Sequence, residues 1–185
     1  MQNPESLGAD IRSIRKSRGI KLVDIAEKLD RSVGWMSQVE RDISEPSIDE
    51  LRSISSILGV PLSIFFGQAK AEASEVGRVV RKDTRRQIGS RSVGLIEELL
   101  SPDLTDDFEV IHSVFLPGTE LKEFIVRSTQ EVGYLISGRM TLWIGDQKFD
   151  LNTGDSFRIR EEPHKWANPN SEKAVVIWVI APPVY

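Results

Sequence analysis

The chain contains no cysteine and only two histidines, His112 and His164. Without thiols there is no disulfide framework and no thiolate metal or redox centre. Two imidazoles leave little for a histidine-based metal site, and no cofactor is expected. No apolar stretch reaches the roughly 20 residues that a membrane-spanning helix needs. The opening MetGlnAsnProGlu lacks the charged start and apolar run of a secretory leader. A cytoplasmic protein with no membrane partner is the expectation. Charge of one sign is also scarce: the net charge is −4 over 185 residues, which argues against indiscriminate coating of nucleic acid. Also missing are a nucleophile–base pair, a phosphate loop, paired acids at catalytic spacing and any sequence repeat. An enzyme has little to stand on.

What is present is concentrated in residues 20–58. Ile25, Ala26 and Leu29 recur at helical spacing, and so do Met36 and Val39, so two short helices each have one apolar stripe to bury. The turn between them (29–32) is tight, and Ser32 is a good N-cap for the second helix. Asp30 stands in that turn, and Asp tolerates the left-handed conformation better than most residues. With Met36 and Val39 turned inward, Trp35, Ser37, Gln38 and Arg41 face out. Residues 11–41 hold eight Lys or Arg against four acids, a local +4 inside an acidic chain. That is a basic head able to enter a DNA groove.

SerGlnValGluArg (37–41) and SerGluProSerIle (44–48) complete the pattern. The segment resembles the helix-turn-helix of the XRE/Cro-like regulators. The resemblance implies a lambda-repressor-like bundle of five helices: Leu7–Arg18, Leu22–Leu29, Val33–Arg41, Ile48–Leu58 and Leu62–Phe66. Asp30 stands where such proteins usually place Gly, and Leu22 where they often carry a phosphate-binding Gln. Gln38 can offer donor and acceptor together to an adenine edge, worth roughly 1–3 kcal/mol of discrimination. Trp35 can pack on a thymine methyl or a sugar. Ser32, Gly34, Ser37 and Arg41 share its surface, and Arg12, Arg15, Lys16, Lys21 and Arg41 are candidates for phosphates, which position without reading sequence. The competing reading makes Trp35 an inter-domain contact and the arginines a solvated face.

Residues 1–67 form this first domain in our reading and 68–77, small and polar, a linker. Residues 78–88 are basic and read as an edge strand, with a DNA-binding arm as the alternative. From there to 185 the chain turns at the pace of an all-β domain, making the whole an α + β two-domain protein. Expected strands are 93–99, 108–116, 120–126, 131–136, 140–144, 147–151, 156–159 and 174–180, punctuated by Gly138, Gly145 and Gly154. Trp143 and Trp178, in strongly apolar strands, are expected in the core.

ProGly (117–118), GluValGlyTyrLeuIleSerGly (131–138), GlyAspSerPhe (154–157) and ProHisLysTrpAlaAsn (163–168) resemble the two motifs of a cupin barrel. Helix-turn-helix followed by cupin is similar to a class of bacterial regulators, some of which control small amine or amino-acid catabolism. A metal-bearing cupin supplies His-X-His, Glu and a later His. Here those positions fall on Ile125, Arg127, Glu131 and His164. Ile cannot bind a metal and Arg stays protonated, so only two ligands remain where catalytic sites ordinarily need three, and no metal is expected. Arg127 for a carboxylate, Glu131 for an ammonium, His164 as a neutral partner and Trp166 as a wall would suit an amine or amino-acid effector. Alternatively Arg127 and Glu131 neutralise each other and plug a relic site. The class implies a homodimer on a pseudo-palindromic double-stranded DNA operator. Two other readings stand beside it: a metal-dependent cupin enzyme resembling the helix-turn-helix–cupin fosfomycin epoxidases, and a ligand-blind DNA-binding protein dimerised by its barrel.

Overall fold

The computed structural model describes residues 6–60, 62–65, 72, 74, 75, 77–88, 94–102, 104 and 106–184. It forms two compact units. One runs to Ile88 and includes Ser101–Asp107; the other comprises Gly89–Leu100 and Phe108–Val184. The expected linker lies largely outside the described residues, as do Phe66, Val93 and the opening pentapeptide.

The first unit is built from α1 (Leu7–Ser17), α2 (Leu22–Lys28), α3 (Val33–Val39) and α4 (Ile48–Leu58). Serines start three of these helices by accepting an orphan backbone N–H: Ser6 from Ala9, Ser32 from Trp35 and Ser47 from Glu50. Glu50 returns the favour to the Ser47 N–H at 2.7 Å, closing a capping box. The expected fifth α-helix is instead a 3₁₀ turn over Leu62–Phe65, a piece too short to propagate α-helical bonds. Ile11, Ile14, Ile25, Met36, Ile54 and Ile64 are all fully buried, as their helical spacing requires. Gly8 allows α1 to lie against the end of α3, because a Cβ there would run into the Val39 carbonyl oxygen and the Glu40 backbone. Asp30 is left-handed, with φ 52°, as the turn reading anticipates.

Residues 78–88 depart from expectation. They make a 3₁₀ turn (Lys82–Thr84) and a two-residue strand, β1 (Arg86–Gln87), rather than an edge strand along their length. Arg86 is neither an edge charge nor part of a DNA arm. It is 5% exposed, pairs with buried Asp10 at 2.8 Å and donates to the Ile64 carbonyl at 3.1 Å. A buried cation needs such partners, and these fix it inside the helical unit. Leu104, 1% exposed, joins the same unit, with its carbonyl accepting from the Ser13 hydroxyl.

In the second unit β2 (Leu95–Leu99), β3 (Glu109–Phe115), β10 (Ala174–Ala181), β5 (Gln130–Ser137) and β8 (Ser156–Arg160) run side by side, antiparallel throughout. A four-stranded sheet has the order β4 (Thr119–Glu120), β9 (His164–Asn168), β6 (Arg139–Ile144), β7 (Gln147–Asn152). The expected strand 120–126 is mostly not one: after Glu120 the Leu121 N–H still donates to the Trp166 carbonyl at 2.9 Å, and Ile125 makes an isolated bridge to His164. Phe124 and Val126 are exposed there. Strand β9 was missing from the expected set, since ProHisLysTrpAlaAsn lacks the β-branched run that marks strands. Gly138 turns the β5–β6 hairpin at φ 82°, and a Cβ there would meet the Lys173 backbone. Trp178 is core, stacked edge-on against Phe157 at 5.0 Å. Trp143 is not: it stands half-exposed on the outer face of β6, with Lys165 and Lys148 over its ring at 5.0 and 5.9 Å. The odd–even alternation of a strand decides that, whatever its mean hydropathy.

Candidate functional site

Helix α3 is short, and only one of its sides is spent on packing: Met36 and Val39 are buried at 0% and 1%. Val33, Gly34 and Gln38 are exposed, while Trp35 and Ser37 are half-buried. Gln38 is held rather than free. Its side-chain oxygen accepts from the Ser44 hydroxyl at 3.1 Å, and its backbone carbonyl accepts from the Ile43 N–H at 2.9 Å. With one lone pair of the oxygen engaged, the amide NH₂ of this exposed residue is a group that can donate. Ser44 went unremarked as a contributor in the sequence reading. The only signal was its place in the loop whose pattern matched the family.

The basic candidates separate. Lys16 and Lys21 are exposed, and Lys21 gives its backbone N–H to Asp24 at the start of α2. Arg12 is half-buried. Arg41 is exposed but folded back, its Nε donating to the Ser37 carbonyl at 3.1 Å. Arg15 does not fit the phosphate role expected of it. Its guanidinium grips Glu40 through two bonds of 2.6 and 3.1 Å and donates a third to the Ile20 carbonyl at 2.9 Å. The side chains are 13% and 5% exposed, so this fork is used inside the bundle. Arg31, not singled out from sequence, lies over Trp35 at 5.3 Å and reaches Glu50 at 2.7 Å. That contact fixes the Trp35 ring against its own helix. The Glu50 carboxyl is pulled below its ordinary value, first by its bond from the Ser47 backbone and then by Ser47 and Arg31 side chains against the opposing effect of burial.

In the second unit the strand period places Glu131, His164 and Trp166 on buried faces, while Ile125 and Arg127 lie between β4 and β5. Glu131, on β5, is 1% exposed. One of its oxygens accepts from the Thr129 hydroxyl at 2.8 Å, with Arg127 Nη1 at 3.5 Å. Arg127 keeps a quarter of its side chain in solvent, so the pair is stretched and one-sided. Thr129 was missed by the sequence reading, although it lies two residues before Glu131, the strand period for one face. His164 is 3% exposed, and its Nδ1 sits 3.0 Å from the Glu162 carbonyl. A carbonyl only accepts, so Nδ1 carries the proton and Nε2 is left as an acceptor in the neutral ring. Ile125 faces His164 across two backbone bonds of 2.9 Å. Trp166 is 6% exposed and packs edge-on against Phe115 at 4.6 Å, so its ring is committed to the core as well as to this face.

The donor set does not suit the metal that barrels of this kind often hold. Beside Glu131 and His164 stand a hydrocarbon, Ile125, and a permanent cation, Arg127. Among the described residues no group of three or more His, Cys, Asp or Glu could hold a metal ion. What the geometry does offer is a desolvated carboxylate, an imidazole acceptor and a partly solvated guanidinium, which suit a small molecule bearing a cationic nitrogen.

A capped four-helix head with a held glutamine on its outward helix, followed by a small antiparallel barrel, defines a helix-turn-helix regulator with a cupin domain. The helix-turn-helix family matches residues 11–65 and the cupin domain family residues 111–180, and the chain belongs to the XRE-type transcriptional regulators that carry both. Over 166 residues it is 26% identical to the HTH-type transcriptional regulator PuuR of Escherichia coli (strain K12), covering 89% of this chain and 88% of that one. The immunity repressor protein of Bacillus phage phi105 is 29% identical over 136 residues, covering 69% of this chain and 89% of the repressor. A solved HTH_3 family transcriptional regulator from Vibrio cholerae aligns over 98% of both chains at 22% identity and TM-score 0.47. Among the described residues no helix is long and apolar enough to cross a membrane.

Proposed function

We propose that this regulator is a cytoplasmic repressor whose barrel binds a small amine or amino acid without metal and thereby alters its hold on an operator. Gln38 reads a base edge in the major groove, with Ser32, Gly34, Trp35, Ser37 and Arg41 along the same surface. Arg12, Lys16 and Lys21 bind phosphates and set the register. A pseudo-palindromic operator engages two copies, because isologous dimers match two-fold sites about one helical turn apart.

The observation that carries the effector reading is Glu131. A carboxylate 1% exposed, whose guanidinium partner stands at 3.5 Å and a quarter in solvent, is costly to bury unless a better cation arrives. An ammonium between Glu131 and His164 Nε2 supplies one, and Arg127 is then free for a carboxylate on the same ligand. The ligand shifts DNA binding only by its differential affinity for the two arrangements.

The test is thermal melting of the full chain against diamines, polyamines and amino acids, with and without chelator. A ligand at about 100 times its dissociation constant stabilises by about 2.7 kcal/mol. A shift for one ligand, indifferent to chelator and lost in Glu131→Gln, is the expected result. A melting point lowered by chelator and moved by no amine would instead favour the metal-dependent enzyme. No response to either would favour a barrel that only dimerises.

A further inference from the structure

A sheet with one face in water alternates apolar and polar residues, and strand β10, AlaValValIleTrpValIleAla, does not. Its inward positions include Trp178 and Ile180, both buried. Its outward ones include Ile177 and Val179, and the register continues that outward row across the sheet. Ile177 lies between His112 and Tyr134, and Val179 between Val110 and Val132. Tyr134 is 50% exposed, Val132 46%, Ile136 45% and Val179 42%. Tyr134 and Ile136 would be as well placed in their strand if they were threonine or lysine.

Charge flanks this strip on opposite sides. Glu98 stands on the outer face of β2, across from His112. Arg158 and Arg160 stand on the outer face of β8, across from Val132 and Gln130. We propose that this outer face is where a second copy of the chain packs, the two sheets meeting face to face about a two-fold axis parallel to the strands and over β10. This rests on the dimer reading above and names the surface that makes it. The axis direction follows from the charges. A strand-parallel two-fold lays the β2 edge of one copy over the β8 edge of the other, bringing Glu98 within one rung of Arg158 and two of Arg160 on the second copy. A two-fold across the strands would instead lay β2 over β2 and β8 over β8, acid edge on acid edge and basic edge on basic edge. Face-to-face sheets sit about 10 Å apart, a gap that an arginine and a glutamate close from either side. Tyr134 and Val179, near the axis, become the desolvated centre where association energy concentrates.

Sedimentation equilibrium of the full chain tests this. The wild type is expected to be a dimer and Val179→Asp, which brings two carboxylates together near the axis, to weaken association by at least about tenfold. Position 179 is solvent-exposed in the single chain, so the melting curve of the monomer should stay cooperative. Glu98→Arg should weaken the dimer, and Glu98→Arg with Arg158→Glu should restore it, which also controls for misfolding of the aspartate variant. A wild type that sediments as a monomer overturns both this surface and the dimer reading. A dimer indifferent to Val179→Asp overturns the surface alone. Loss without rescue by the charge exchange overturns the strand-parallel axis.

Discussion

Arg15 and Lys16 are neighbours in sequence and alike in charge, yet the structure assigns them different work, and a pair of alanine substitutions should separate them. Arg15→Ala removes one half of a largely buried, doubly bonded pair, the other half being Glu40, 5% exposed. Breaking a buried pair from one side costs about 3–5 kcal/mol. It also removes the donor that holds the Ile20 carbonyl at the entry to α2. In a domain of this size each kcal/mol is worth about 4–8 °C, so the helical signal at 222 nm should melt more than about 12 °C earlier. Lys16→Ala touches nothing buried and should leave the melt within about 0.5 kcal/mol of wild type. Its effect should appear instead in DNA affinity measured by fluorescence anisotropy between 50 and 200 mM salt, where losing a phosphate contact lowers the log–log slope by about 1 per head. If Arg15→Ala melts normally and flattens the salt dependence, the guanidinium belongs to the DNA and the packing argument fails.

Other substitutions probe the remaining steps. Ser44→Ala should lower operator affinity while leaving the melting temperature nearly unchanged, since it frees the Gln38 side chain without opening the core; unchanged affinity in titrations would show that the 3.1 Å bond does not position the reading group. Asp30→Gly should stabilise the head by up to about 1 kcal/mol in urea unfolding, because it relieves a left-handed non-glycine residue at φ 52°, and a loss would mean that the Asp side chain has its own role. Gly8→Ala should destabilise it, as the added methyl meets backbone rather than a flexible side chain; a wild-type melt would refute the close approach. Glu50 has a folded pKa held below the 4.5 of a free glutamate, so its contribution is present above that value and fades as pH falls through the lower folded one. The stability gap between wild type and Glu50→Gln should therefore be open at pH 7 and closed in strong acid, and a gap independent of pH would remove Glu50 from the capping box.

Much of the helical head could be read without coordinates. Serine caps, the 3.6-residue spacing of Ile25, Met36 and Val39, and the odd conformation of Asp30 are local matters, fixed by backbone sterics and nearest-neighbour hydrogen bonds. The resemblance to a cupin barrel likewise put Glu131 and His164 on inward positions, where both are buried, and the glycine turns marked most hairpins. Local pattern is blind to partners far along the chain. It could not tell Arg15, spent on Glu40, from Lys16, which is exposed, nor place Arg86 beside Asp10, 76 positions away. It mistook 78–88 for a strand, because a buried ion pair overrode the local preference. It put Trp143 in the core, because mean hydropathy does not say which face of a strand is covered. The sequence by itself determined the elements and the chemistry on offer. Tertiary packing decided which charges were already used and which stay at the surface, since burial and pairing depend on distances that only the folded chain sets.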